Sequence, residues 1–138
     1  LVGAGAAVEG ELLVLSEPLS LWGGLDPRTG AIIDPRHPQA GESVVGRIVA
    51  LPSGRGSSSA SAILLEAVRL GTAPRAILLR EVDGILALGA AVARELYGRR
   101  PAVLVLAGAD FDRLETGARV FVGDEGAVEL LAQTQSTT

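Results

Sequence analysis

Apolar residues in this chain come in short runs separated by clusters of Gly, Pro and Ser, and the spacing inside each run tells strand from helix. Glu11 to Leu15 reads as a short strand. From Ser16 to Glu42 the chain is dense in prolines (18, 27, 35, 38) and glycines (23, 24, 30, 41), which excludes a helix running through it. Asp26-Pro27-Arg28-Thr29-Gly30 is a turn signal ahead of Ala31-Ile32-Ile33, so a small hairpin is expected there. A loop this long in a compact domain points to function more than to connection. Ser43 to Leu51 (SVVGRIVAL) predicts a buried strand with a bulge at Gly46, ended by Pro52. A helix follows from about Ala60 to Leu70, with Ala60, Ile63, Leu64, Ala67 and Val68 on one face and Gly71 as its stop.

Beyond it, Arg75 to Arg80 reads as a strand, Val82 to Tyr97 as a helix closed by Gly98, and Ala102 to Leu106 as another strand. This is βαβαβ alternation, which implies parallel strands joined by right-handed crossovers. Ala118 to Val122 and Ala127 to Leu131 predict two further strands in local, antiparallel pairing, and the polar tail 133–138 is expected to fray. The expected fold class is therefore α/β, with a central parallel sheet, crossover helices and an additional antiparallel β layer. The 138 residues carry no repeat and no linker, so a single domain over 1–138 is expected.

Composition narrows the chemistry. A formal charge of −4 is the wrong balance for neutralising phosphates, and no apolar run reaches a membrane span, so neither nucleic acid nor membrane is expected as a partner. Leu1 to Val8 does not have the form of a secretory signal and the chain has no Cys, so the cytoplasm is the expected compartment. With no Cys and His37 as its one histidine, the chain builds no cysteine-held zinc or iron–sulfur site of its own, and no metal ligand is assigned. All 12 basic residues are Arg, which removes the P-loop lysine and Schiff-base chemistry.

The segment with the most chemistry is Pro52 to Ser61 (PSGRGSSSAS), lying between a predicted strand and a predicted helix, where open α/β sheets bind ligands. Gly54 and Gly56 permit close backbone approach to a ligand. Ser57 to Ser59 fall at a helix mouth whose first N–H groups lack partners, and Arg55 offers a two-pronged donor to a carboxylate or phosphate. Capping explains one serine; three serines after a Gly-Arg-Gly turn favour anion binding or catalysis. A dinucleotide fingerprint wants Gly or Ala where Ser59 stands, and no Gly-Lys-Ser/Thr sequence occurs. Of the remaining candidates, His37 is assigned to substrate orientation or to structure, Trp22 to an anchor against a partner or the core, and Asp110, Asp112 and Glu115 to a solvated turn.

The run WGG at 22–24, DPRTGAIIDPRHPQAGESVVGRIVALPSGRGSSSASAILLE from Asp26 to Glu66, APRAILLRE from Ala73 to Glu81 and ILALGAAVARELYG from Ile85 to Gly98 together resemble the small subunit of aconitase X enzymes. The likeness is nearest to the phosphomevalonate-dehydrating branch. Gly56-Ser57-Ser58 is also similar to the glycine-serine-serine turn in the swivel domain of aconitases and isopropylmalate isomerases. The resemblance implies a swivelling β/β/α domain that closes over a large subunit in a heterodimer. It implies Ser57 as catalytic base, with Gly54, Arg55, Gly56, Ser58 and His37 toward substrate, and an iron–sulfur cluster of the [4Fe-4S] type on the large subunit. Aconitases place Arg directly after the two serines; this chain has Ser59, so that clamp does not carry over and Arg55 is its conjectural substitute. The implied reaction dehydrates (R)-5-phosphomevalonate to trans-anhydromevalonate 5-phosphate in a modified mevalonate route. The alternatives are dehydration of cis-3-hydroxy-L-proline, a non-catalytic anion-binding module and a phosphohistidine carrier using His37.

Overall fold

A computed structural model describes residues 7–53, 59–97, 101–123 and 127–131. Strand β1 (Val8–Val14) leads into a short helical segment α1 (Leu21–Gly24) and a hairpin of β2 (Leu25–Asp26) and β3 (Ala31–Ile32). Then come β4 (Ile48–Leu51), α2 (Ser59–Leu70), β5 (Ala76–Leu79), α3 (Gly84–Tyr97), β6 (Ala102–Val105), α4 (Gly108–Phe111), β7 (Arg119–Val122) and β8 (Val128–Leu130). The larger sheet has the order β6-β5-β4-β1-β7-β8. Its first four strands are parallel, with Leu12 opposite Ile48, Val49 opposite Ile77 and Leu78 opposite Leu104, whereas β7 pairs antiparallel with both β1 and β8. The alternation read from the sequence is thus the parallel part, and the two late strands are the antiparallel layer.

Side-chain alternation divides the core in two. Leu13, Val49, Leu51, Ile77, Leu79 and Val103 face one way and meet Ala60 and Leu64 of α2 and Leu86 and Ala90 of α3. Both helices lie on this face because β4, β5 and β6 follow one another in the same direction and each crossover is right-handed. Leu12, Ile48, Ala50, Leu78, Val120 and Val122 face the other way, where the sheet curls so that Phe111 and Leu114 close the space between its ends. Burial on both faces explains why β4 and β5 are unbroken apolar runs, each fully buried.

The segment between β1 and β4 is an excursion over the helix-bearing face. Gly30 turns the hairpin with φ +78, and a Cβ there would lie 2.4 Å from Val45 Cγ2, so the position admits only glycine. The hydroxyl of Thr72 donates to the Pro27 carbonyl at 2.6 Å and ties the hairpin tip to the amino end of β5. Two expectations are corrected here. The strand predicted over Ser43 to Leu51 begins only at Ile48, because Arg47 N–H turns back to Val44 O at 3.1 Å and Gly46, at φ +70, is a turn residue and not a bulge. The solvated turn over Asp110 to Glu115 contains the end of α4, buries Phe111 and Leu114, and engages Asp112 in an ion pair with Arg80. The helix stop expected at Gly98 and the tail 133–138 lie outside the described residues.

Candidate functional site

Strand β4 lies between β5 and β1 and ends at Leu51, followed by Pro52 and Ser53; α2 begins at Ser59. Gly54, Arg55, Gly56, Ser57 and Ser58 lie outside the described residues. Their flanks define the location: the carboxyl end of an inner parallel strand on one side, and on the other the amino end of a helix with no acidic residue in its first turn. A helix start without carboxylates leaves the positive end of the helix dipole uncompensated, which favours an anion nearby.

Two neighbours frame this end of the sheet. On the β5 side, Arg80 N–H donates to the Pro52 carbonyl at 3.3 Å, and the Arg80 guanidinium pairs with Asp112 across Gly108. On the β1 side, Leu15 N–H donates to Ala50 O at 2.7 Å and Ser16 N–H to Gln39 Oε1 at 3.1 Å. Neither Arg80 nor Gln39 was singled out from the sequence. For Arg80 a signal existed, since a charged residue directly after a buried parallel strand falls at the ligand end of the sheet. Gln39 gave none, because its contact with Ser16 is a tertiary event.

His37 lies on this side, only 6% exposed. Its Nε2 is 3.0 Å from the Glu17 carbonyl, and its Nδ1 accepts the Gln39 N–H at 3.0 Å. With Nδ1 accepting, Nε2 is the nitrogen that donates to the Glu17 carbonyl. Both nitrogens are therefore spent on backbone groups, and neither is free for a ligand. Trp22, in contrast, is 61% exposed and takes no part in the core; its carbonyl accepts from the Ser20 hydroxyl at 3.2 Å. Trp22 and His37 line one open depression of about 810 Å³ together with Glu17, Asp34 and Arg36.

The carboxylates with displaced titration stand in local pairs with an arginine two or three residues away. The backbone N–H and then the guanidinium of Arg28 hold Asp26 below its ordinary value, and the Arg69 guanidinium does the same to Glu66. Among the described residues no group of His, Cys, Asp or Glu could hold a metal ion. The donor set does not fit an iron–sulfur cluster, for the chain has no Cys and its one histidine is fully engaged. No described helix is long and apolar enough to cross a membrane.

Known proteins match this arrangement. The aconitase X swivel domain family matches residues 2–130. A cis-3-hydroxy-L-proline dehydratase of Pseudomonas aeruginosa is 53% identical over 111 residues, which are 80% of this chain and 19% of that protein. The chain thus spans about a fifth of the length of that relative. A phosphomevalonate dehydratase small subunit of Pyrococcus furiosus is 40% identical over 126 residues, covering 91% of this chain and 88% of that one. The crystal structure of Thermococcus kodakaraensis aconitase X in its holo-form superposes with a TM-score of 0.80 at 33% identity, over 96% of this chain and 98% of the other. The parallel sheet with its antiparallel annex, the strand-to-helix passage at residues 52–59 and these likenesses agree: the chain belongs to the aconitase X swivel-domain family.

Proposed function

We propose that this chain is the swivel component of a hydro-lyase that removes water from a small hydroxy acid, with Ser57 as the base. The observation that carries the reading is the family match over residues 2–130, whose relatives in two branches are both named dehydratases. In the proposed step Ser57 takes the proton from the carbon next to the substrate carboxylate, the carbon–carbon double bond forms, and hydroxide leaves from the neighbouring carbon. A serine hydroxyl is a weak base at its ordinary pKa, so it needs donors nearby and exclusion of water. The carboxylate-free amino end of α2 supports that role, and Arg55 is the candidate partner of the substrate anion. His37 holds the loop beside the site through Glu17 and Gln39. The iron–sulfur cluster and departure of hydroxide belong, in this proposal, to a larger partner chain.

The substrate of the proposal is (R)-5-phosphomevalonate, supported by a match covering 88% of the Pyrococcus small subunit. A second reading, cis-3-hydroxy-L-proline, is favoured by the higher identity of 53% to the Pseudomonas enzyme. The test is anaerobic co-expression with the aconitase X larger chain of the same genome, followed by assay of both compounds for loss of water. Turnover of one of them is expected, and Ser57→Ala is expected to lower it by at least about a thousandfold while the assembly still forms. Turnover of neither compound, or wild-type rates from Ser57→Ala, overturns the proposal.

A further inference from the structure

We infer that the depression around Trp22 is the surface on which the larger chain docks, with the Trp22 indole as its central anchor. The inference rests on the proposed function only in requiring that such a chain exists. Leu19, Leu21 and Leu25 around it are buried and fix the backbone, so this segment is a rigid part of the core. Trp22 departs from it: the residue leaves helical geometry at ψ 114, Gly23 follows at φ +80, and the indole stands 61% exposed while Leu21 and Gly24 are buried. An exposed indole contributes little to folding this chain, and Trp is the residue type most enriched at the centres of interfaces.

Location selects the occupant. The depression of about 810 Å³ is lined by Glu17, three residues past the end of β1, and β1 runs parallel to β4 in register up to Val14 and Ala50. It therefore opens at the same end of the sheet from which residues 54–58 depart. A chain that completes a site there must approach this end. In the Pseudomonas relative the matched region is only 19% of the protein, so the other four-fifths must seat somewhere against it. The floor is pre-organised, because His37 locks Glu17 to Gln39 and Asp34 Oδ1 accepts Arg36 N–H at 3.0 Å. A rigid floor reduces the entropy lost on docking. The Arg36 side chain, 92% exposed, pairs loosely with Asp34 at 3.7 Å on the rim and leaves most of its guanidinium open to a further acceptor on the partner.

Trp22 is the one tryptophan of the chain, which makes the test direct. The chain is labelled with 5-fluorotryptophan and mixed with the unlabelled aconitase X larger chain of the same genome, expressed separately. The single fluorine resonance is then followed for relaxation by a soluble gadolinium chelate. On assembly the chelate is expected to lose access to the indole, and Trp22→Ala is expected to weaken assembly by about thirtyfold or more while the isolated domain melts as the wild type does. A complex in which the indole stays open to the chelate, or in which Trp22→Ala binds with unchanged Kd, sinks this inference alone. The exposed apolar stripe of Leu88 and Leu96 on α3 would then become the docking face. Failure of the two chains to associate at all sinks the larger-partner reading as well.

Discussion

At residue 37 the imidazole joins two stretches of the excursion, with the Glu17 carbonyl on one nitrogen and the Gln39 N–H on the other, beside the Ser16–Gln39 bond that ties the same stretches. A sequence shows that a histidine stands between Arg36 and Pro38 but not that one of its nitrogens will meet a carbonyl twenty residues earlier while the other takes the N–H of Gln39. Replacing it by leucine removes both bonds at a part-buried place, which costs about 0.5–1.5 kcal/mol per bond. His37→Leu is therefore expected to lower the urea midpoint with little change in the slope, and a variant as stable as the wild type would show that water satisfies both groups. Asp26 gives a residue-level effect of acid. Its bonds from Arg28 hold the folded carboxyl below the ordinary value of 3.8, so its stabilisation is complete above that value and is lost as pH falls through the lower, folded one. Asp26→Asn should thus flatten the acid limb of the stability–pH curve, read by denaturant titrations at about pH 6 and about pH 3. The proposal for Ser57 rests on another kind of reading, chemistry written in consecutive residues, glycines then serines after a buried strand, which needs no tertiary knowledge to be noticed.

Elements show where pattern suffices and where geometry intervenes. The α2 face Ala60, Leu64, Ala67 and Val68 is buried as its periodicity requires, and α3 starts where Asp83 Oδ1 accepts from Ile85 N–H at 3.0 Å and Leu86 N–H at 3.1 Å. The strand ahead of the site was read too long, because Ser43 to Arg47 has the same β-branched composition as a strand and only the turn at Gly46 ends it. The contact between the helices was invisible in the sequence. A Cβ on Gly89 would come within 3.1 Å of both Cα and O of Ser61, so α3 crosses the first turns of α2 so closely that any side chain at 89 requires α2 to give by a few tenths of an ångström. Gly89→Ala gains about 1 kcal/mol of helix propensity. It must also push back the backbone of α2, and overpacking of this kind costs about 1–3 kcal/mol. The clash should prevail, because backbone on a packed helix has nowhere to yield. The expected outcome is a lower melting temperature; a rise would mean that α2 shifts without strain. Since α2 also carries the end of the proposed site, the same variant is expected to reduce turnover of the assembled enzyme.

Across the whole molecule, the curl of the sheet decides which single side chain matters most for the inner core. The order β6-β5-β4-β1-β7-β8 places β6 and β8 at opposite edges, yet Leu106 after β6 and Val128 of β8 pack on the same buried cluster. Something must fill the gap between the two edges. That filler is Phe111, 6% exposed, with Leu114 at 8%, both carried by or just after the four-residue α4. The sequence hides this role, because two apolar residues set among Asp110, Asp112, Arg113 and Glu115 look like part of a solvated turn, and only the curl of the sheet gives them an interior. Truncation to Phe111→Ala removes the ring from a place walled by strands on both sides, and such strands cannot collapse inward without breaking their ladders. The loss should therefore lie in the range of about 3–5 kcal/mol for a buried phenylalanine. The larger helix-bearing cluster is untouched by this change, so the variant should still fold, with a strongly lowered denaturant midpoint and faster amide exchange in β7 and β8 than in β4 and β5. Equal acceleration in all four strands would mean that the two halves of the core unfold as one unit. A midpoint shift under about 1 kcal/mol would mean that α4 rests on the surface and does not close the sheet.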